Sequence, residues 1–287
     1  MESRLNPDLQ ENLQLHLQQI VCDRDPFFAS AGHFFVQQYI REQFSQWGEV
    51  EIHSFEFRGN SYQNLILNLP AASASSTLPP ILIGAHYDAV TGSPGADDNA
   101  SGVAALLELA RAFATRPPRH PVRLVAFDLE ELGLLGSQAY ATELRQQNQR
   151  LRLMLSLEML GYCDRTPGSQ TYPAGLERFY PDRGDFIGLI GNLATIPDLI
   201  SLSRTIRRVG QVNCEWLPAG QRGVLVPATR LSDHAPFWDQ GYRAMMVTDT
   251  AFMRNPHYHK DSDRIETLDL EFMTGICQGL IAGISNL

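Results

Sequence analysis

The sequence predicts an α/β fold in which parallel strands are covered by helices. Two observations carry this. Short apolar runs of strand type at residues 81–85, 122–127 and 151–157 alternate with helix-period segments, giving two strand–helix–strand crossovers in a row. Each run is followed by His or acidic residues: His86, then Asp128, Glu130 and Glu131, then Glu158. In an open parallel sheet that edge faces the crevice where ligands are held.

In chain order, Pro7 and Asp8 open a first helix with Leu9, Leu13, Leu15 and Ile20 as a loose apolar face, and a second helix runs from about 30 to 47 before Gly48. Residues 50–57 alternate imperfectly, as a strand with one wet face does. Residues 58–61 read as a hairpin turn, 62–69 as the partner strand and 70–80 as an Ala/Ser/Pro loop. A buried strand at 81–85 precedes a helix at 100–115 carrying Val103, Leu106, Leu107, Ala110 and Phe113 on one face. Residues 122–127 form the next strand, 138–147 a helix, and 151–157 a third strand. The 162–185 stretch is a long loop with Tyr162, Tyr172 and Tyr180, and loops of that length inside a domain usually serve function. Residues 186–191 read as a strand, 197–209 as a helix, 216–231 as irregular, 244–249 as a fourth strand of the site edge and 269–284 as a closing helix. No internal repeat or linker stands out, so one domain over residues 1–287 is expected.

Composition narrows the partners. With 44% hydrophobic residues the chain can bury a large core. A net charge of −9 without a basic run argues against nucleic acid or an anionic membrane as the main partner. The first residues lack the apolar centre of a signal peptide, and no apolar stretch approaches a membrane span, so a cytoplasmic protein is expected. Cys22, Cys163, Cys214 and Cys277 are far apart and read as reduced residues.

The chemistry gathers at the strand ends. One His and three Asp, His86, Asp88, Asp97 and Asp98, fall within thirteen residues. His86 can bind a metal through one ring nitrogen while Asp88 accepts a hydrogen bond from the other, and Asp97 or Asp98 supplies a hard oxygen ligand. The same residues would also suit an Asx-rich loop capping the next helix. Glu130, Glu131 and Glu158 converge on the same edge, and the 244–249 strand leads to His257, His259 and Asp263. So many carboxylates at one point call for a cation, and His plus carboxylate without Cys suits zinc. The surplus of acids points to two ions sharing one ligand. Of the paired glutamates, one can bind metal and the other serve as general base.

These segments resemble a known family. His86-Tyr87-Asp88, residues 95–102 (Gly-Ala-Asp-Asp-Asn-Ala-Ser-Gly), residues 127–137 and Tyr258-His259 look like the co-catalytic zinc aminopeptidases of family M28, which include bacterial leucyl-type aminopeptidases and glutaminyl-cyclase relatives. The resemblance implies a doubly wound, mixed but mostly parallel sheet with helices on both faces, and two zinc ions. Carried over, His86, Asp98 and Glu158 bind one zinc, and Asp98, Glu131 and His259 the other. Glu130 is the base and Asp88 orients His86. One departure is Glu158-Met159, where the family most often has Asp; the longer arm needs a wider pocket. His259, with Asp263 after a short gap, fits the ligand pattern better than His257. Asp233 and His234 would stand behind the ligands or face the substrate, or simply cap a helix. The implied activity is metal-dependent aminopeptidase action on peptides, with a one-zinc glutaminyl-cyclase-like transferase and a non-catalytic binding protein as alternatives. Tyr162, Tyr172, Tyr180, Phe252, Met253 and Tyr258 are candidate walls for a side-chain pocket.

Overall fold

Period-two alternation with both faces apolar dictates a sheet buried on both sides. Leu65, Leu67, Ile81, Ile83, Leu124, Leu153 and Leu155 pack into one apolar cluster, while their chain neighbours Ile66, Leu82, Val125 and Met154 pack into another. The computed structural model describes residues 5–287 apart from 74–75 and 225. The expectation about a leader rests partly on residues 1–4, which lie outside the described residues, as do two residues of the Ala/Ser/Pro loop.

Among the described residues the sheet has eight strands: β1 (Val50–Phe57), β2 (Asn60–Leu69), β3 (Ile81–His86), β4 (Val122–Phe127), β5 (Leu153–Glu158), β6 (Phe186–Gly191), β7 (Asn213–Pro218) and β8 (Ala244–Thr248), in the order β1-β2-β4-β3-β5-β8-β6-β7. β4, β3, β5 and β8 are mutually parallel. The β1–β2 hairpin adds antiparallel to β4, and β6 runs antiparallel to β8 with β7 parallel to it. The fold is therefore the expected mixed, mostly parallel α/β sheet. β7 lies partly within the stretch read as irregular. Its sequence, Asn-Cys-Glu-Trp-Leu-Pro, shows no clean alternation because it is an edge strand with several half-buried positions.

Among the described residues seven α-helices cover the sheet: α1 (Pro7–Ile20), α2 (Ser30–Ser45), α3 (Gly102–Thr115), α4 (Leu135–Gln146), α5 (Ile196–Thr205), α6 (His234–Asp239) and α7 (Leu270–Ser285). Asn6 caps α1 by accepting from Asp8 N and Leu9 N, and Asp269 caps α7 through Phe272 N. Residues of α1, α2, α3, α5 and α7 enter the larger cluster, and Tyr140, Ala141 and Leu144 of α4 with Phe237 and Trp238 of α6 enter the other, so both faces are covered. Among the described residues no helix is long and apolar enough to cross a membrane.

One polar contact ties α2 to the sheet edge. Asp128, buried just after β4, accepts from Tyr87 Oη at 2.7 Å and meets His33 Nε2 at 2.7 Å. Burial opposes charging of His33, but the hydrogen bond and charge of Asp128, with Asp88 adding, raise its pKa overall. A raised folded-state pKa stabilises the fold fully below the unfolded value of about 6.5, and that stabilisation is lost as pH rises through the folded value. The gap in melting temperature between wild type and His33→Gln should therefore be wider at about pH 5.5 than at about pH 8.5; an equal or reversed gap in thermal melts would contradict this coupling.

Candidate metal centre

The carboxyl ends of β3, β4, β5 and β8 meet at one edge, and short polar ties aim their side chains. β3 delivers His86, only 1% exposed. A turn over residues 96–101 then carries Asp98 into the same space before α3 begins. Asp263 accepts from Asp97 N at 2.9 Å and Asp98 N at 3.1 Å, pinning this turn from the 250–263 loop. Asn99 fastens it to β5: its Nδ2 donates to Leu157 O at 2.8 Å and its Oδ1 accepts from Met159 N at 3.1 Å, either side of Glu158. After β4, the backbone N–H groups of Glu130 and Glu131 donate to Asp88 at 3.1 and 3.2 Å. The loop after β8 brings in His259.

These ties create two triples of ligand atoms, His86–Asp98–Glu158 and Asp98–Glu131–His259, each with its atoms within 4.8 Å of one another. His86 Nε2 lies 3.3 Å from Asp98 Oδ1 and 3.5 Å from Glu158 Oε1. His259 Nε2 lies 3.1 Å from Asp98 Oδ2 and 3.3 Å from Glu131 Oε2. Asp98 thus turns one oxygen to each histidine. A third triple, His86–Glu130–Glu131, meets the same distance limit, so Glu130 shares this space.

The electrostatics are those of an overcrowded acidic site. Burial pushes Glu131 up to about 7 with the Asp98 charge adding, and raises Glu130 well above its usual range, with Glu158 and Glu131 adding against His86. Glu158 is raised by burial as well. Asp98, despite burial, is held well below the ordinary carboxylate range by the close approach and charge of His259 and His86. Burial opposes charging of His259, yet the hydrogen bonds of Asp98 and Glu131 push it up to about 10. A metal fits this set. Both ring nitrogens of His86 and Glu131 Oε1 are buried without a hydrogen-bond partner, although carboxylates stand at ion-pair distance. Unpartnered imidazole and carboxylate donors aimed at one another are what a zinc ion would satisfy.

Of the expected residues, His86, Asp98, Glu131, Glu158 and His259 lie together in the two triples, with Glu130 alongside. Asp97 instead points away, accepting from Gly161 N and Asn255 Nδ2. Asp88 stands 3.4 Å from His86 Nδ1, but its well-formed bonds go to the glutamate loop. His257 lies outside both triples and meets Ser262 Oγ at 3.0 Å. His234 is turned away to Thr229 O, and burial pushes its pKa down to about 3. Asp233 makes no capping bond to α6; its carboxylate is buried, and burial pushes it up to about 7. Ser232 donates to Glu158 Oε2 at 2.7 Å and Ser156 meets Ser232 at 2.8 Å, a brace for the longer Glu158 arm that the sequence did not signal. Tyr172, Tyr180 and Met253 line an apolar cavity with Leu176, Phe186 and Trp216. Tyr162, Phe252 and Tyr258 are not among its walls; Tyr258 stacks on His259.

The comparisons agree with this architecture. The model of peptidase family M28 matches residues 64–191. The uncharacterized protein YfbL of Escherichia coli is 36% identical over 271 residues, covering 87% of this chain and 79% of YfbL. Among solved structures, the Legionella pneumophila LapA aminopeptidase superposes with a TM-score of 0.75 at 21% identity over 98% of this chain and 73% of that chain. BSAP, a zinc aminopeptidase from Bacillus subtilis, superposes with a TM-score of 0.60 at 26% identity over 80% of this chain; this chain spans only 51% of BSAP.

The separation of the two histidines around Tyr258 can be checked directly. His259→Ala should lower the zinc content of the purified protein, whereas His257→Ala should leave it at the wild-type level. The reverse pattern in metal analysis would move the ligand to His257.

Proposed function

This chain belongs to peptidase family M28, and from that membership we propose that it is a zinc-dependent aminopeptidase that hydrolyses the first peptide bond of peptides. The observation that carries the reading is the pair of ligand triples joined through the two oxygens of Asp98. His86, Asp98 and Glu158 would hold one zinc, and Asp98, Glu131 and His259 a second. Bound zinc supplies Lewis-acid polarisation of a carbonyl oxygen and lowers the pKa of water.

The chain's own residues do the rest. Glu130 is the proton carrier: its carboxylate takes a proton from the attacking water and returns it to the nitrogen of the leaving amine. Asp88 grips the peptide N–H groups of Glu130 and Glu131, fixing base and ligand relative to each other. The carboxylate-rich site would also hold the substrate's free α-ammonium group, which favours an N-terminal over a C-terminal cut. A glutaminyl-cyclase-like transferase would need only one zinc; the unpartnered imidazole of His86 supports a further ion beside the one that Asp98, Glu131 and His259 would hold.

Replacing each glutamate tests the division of labour. Glu130→Gln should lower kcat by roughly 10²–10⁴-fold on aminoacyl-arylamides, the usual loss on removing a general base, with zinc content and KM little changed. Glu131→Gln should lose zinc together with activity. Near-wild-type turnover in Glu130→Gln, or activity of the wild type surviving thorough chelation, would overturn the reading.

A further inference from the structure

Arg24, in the connection between α1 and α2, is 1% exposed and lies behind the metal centre. Among the described residues no carboxylate pairs with it directly; its hydrogen bonds go to backbone carbonyls. Nε donates to Tyr87 O at 2.9 Å, Nη1 to Cys22 O at 3.2 Å and Pro94 O at 2.5 Å, and Nη2 to Gly95 O at 2.8 Å and Asp98 O at 3.2 Å. Tyr87 follows His86, and Asp98 is the residue common to both triples. One planar fork therefore holds both ends of the loop that spaces these two residues, a geometry that a lysine ammonium cannot copy.

The surroundings are built for it. Gly95 has φ +60°, and a Cβ there would stand 2.7 Å from Arg24 Nη2 and 2.3 Å from Asp98 O, so the loop closes on the guanidinium only with glycine at this position. Next to Arg24, Asp25 accepts from Thr91 Oγ1 at 2.6 Å, a second tie from the same connection to the same loop. Burying a guanidinium against carbonyls alone is costly. Burial accordingly lowers its pKa, opposed by the charges of Cys22, Asp98, Asp263 and Asp88. Three of those four are acids in or against the metal centre.

We infer that Arg24 is a positioning residue for the metal centre, setting the spacing of His86 and Asp98 through their backbone and supplying a fixed positive charge behind them. The inference rests on His86 and Asp98 being metal ligands, as proposed above. Removing a group that orients metal ligands typically weakens metal binding by about 10–100-fold.

The test measures zinc affinity by competition with a chromophoric chelator, and the visible spectrum of the cobalt-substituted protein, for wild type, Arg24→Met, Arg24→Lys and Asp98→Asn. Metal-free melting curves are recorded alongside. Arg24→Met should bind zinc at least about 10-fold more weakly and shift the cobalt bands. Arg24→Lys should fall between it and wild type, because charge is kept and the fork lost. If Arg24→Met does not fold, Arg24→Lys alone must bind zinc more weakly than wild type and shift the cobalt bands. Folded variants with a lower metal-free melting temperature but wild-type zinc affinity and cobalt bands would overturn the inference and leave Arg24 a loop staple. If wild type binds no zinc, or Asp98→Asn binds it as well as wild type, the ligand assignment itself fails and the inference falls with it.

Discussion

The structure depends on one electrostatic constraint: acidic side chains are forced together at the carboxyl edge of four parallel strands, and something must offset their charge. Asp88, Asp98, Glu158, Asp233 and Asp263 are all buried there, with Glu130 and Glu131 beside them. Among the described residues, His86, His259 and the buried Arg24 are positive groups set against these acids. The consequences are visible in the raised pKa values of Glu130, Glu131, Glu158, Asp233 and Asp263, each led by burial. A group of buried acids whose ionisation a cation would favour is a trap for divalent metal. The cost of building the trap falls on the fold, which holds it open with backbone hydrogen bonds.

Those hydrogen bonds make one connected frame. Asp88 links the β3 end to the glutamates after β4, Asn99 links the Asp98 turn to both sides of Glu158, and Asp263 links that turn to the loop carrying His259. In each case a side chain that is not itself in a ligand triple fixes the backbone of a triple member or of the residues on either side of one. This is how a site assembled from loops reaches the precision that metal coordination needs. Arg24 extends the frame to the α1–α2 connection, and Asp128 carries it through Tyr87 to His33 on α2. The N-terminal helices are therefore part of the site's support as well as a cover for the sheet.

The parts of this arrangement that were legible in the sequence are those whose signal is local. The runs at 81–85, 122–127 and 151–157 are apolar on both faces because the strands are central, and the polar residues after them stand out for that reason. His86, Glu131 and Glu158 sit at or just beyond such strand ends, and Asp98 and His259 were reachable through the family resemblance. β7 was not legible, since an edge strand half-exposed to solvent carries no regular alternation. Arg24 and Asn99 were not legible either, because their partners are backbone carbonyls and amides, which every residue has. Ser232 bracing Glu158 was hidden by a separation of 74 residues. Sequence spacing pairs Asp88 with His86 alone, while its aligned hydrogen bonds go to the glutamate loop; spacing brings out the nearer contact and hides the one across strands.

The central claim is that this edge is a two-ion centre hinged on Asp98. Anomalous diffraction from crystals of the zinc-loaded protein, recorded on either side of the zinc edge, addresses it most directly. The account predicts two anomalous peaks, one among His86, Asp98 and Glu158 and one among Asp98, Glu131 and His259, with Asp98 in contact with both. A single peak, or peaks at other residues with His86 and Asp98 unligated, would contradict it.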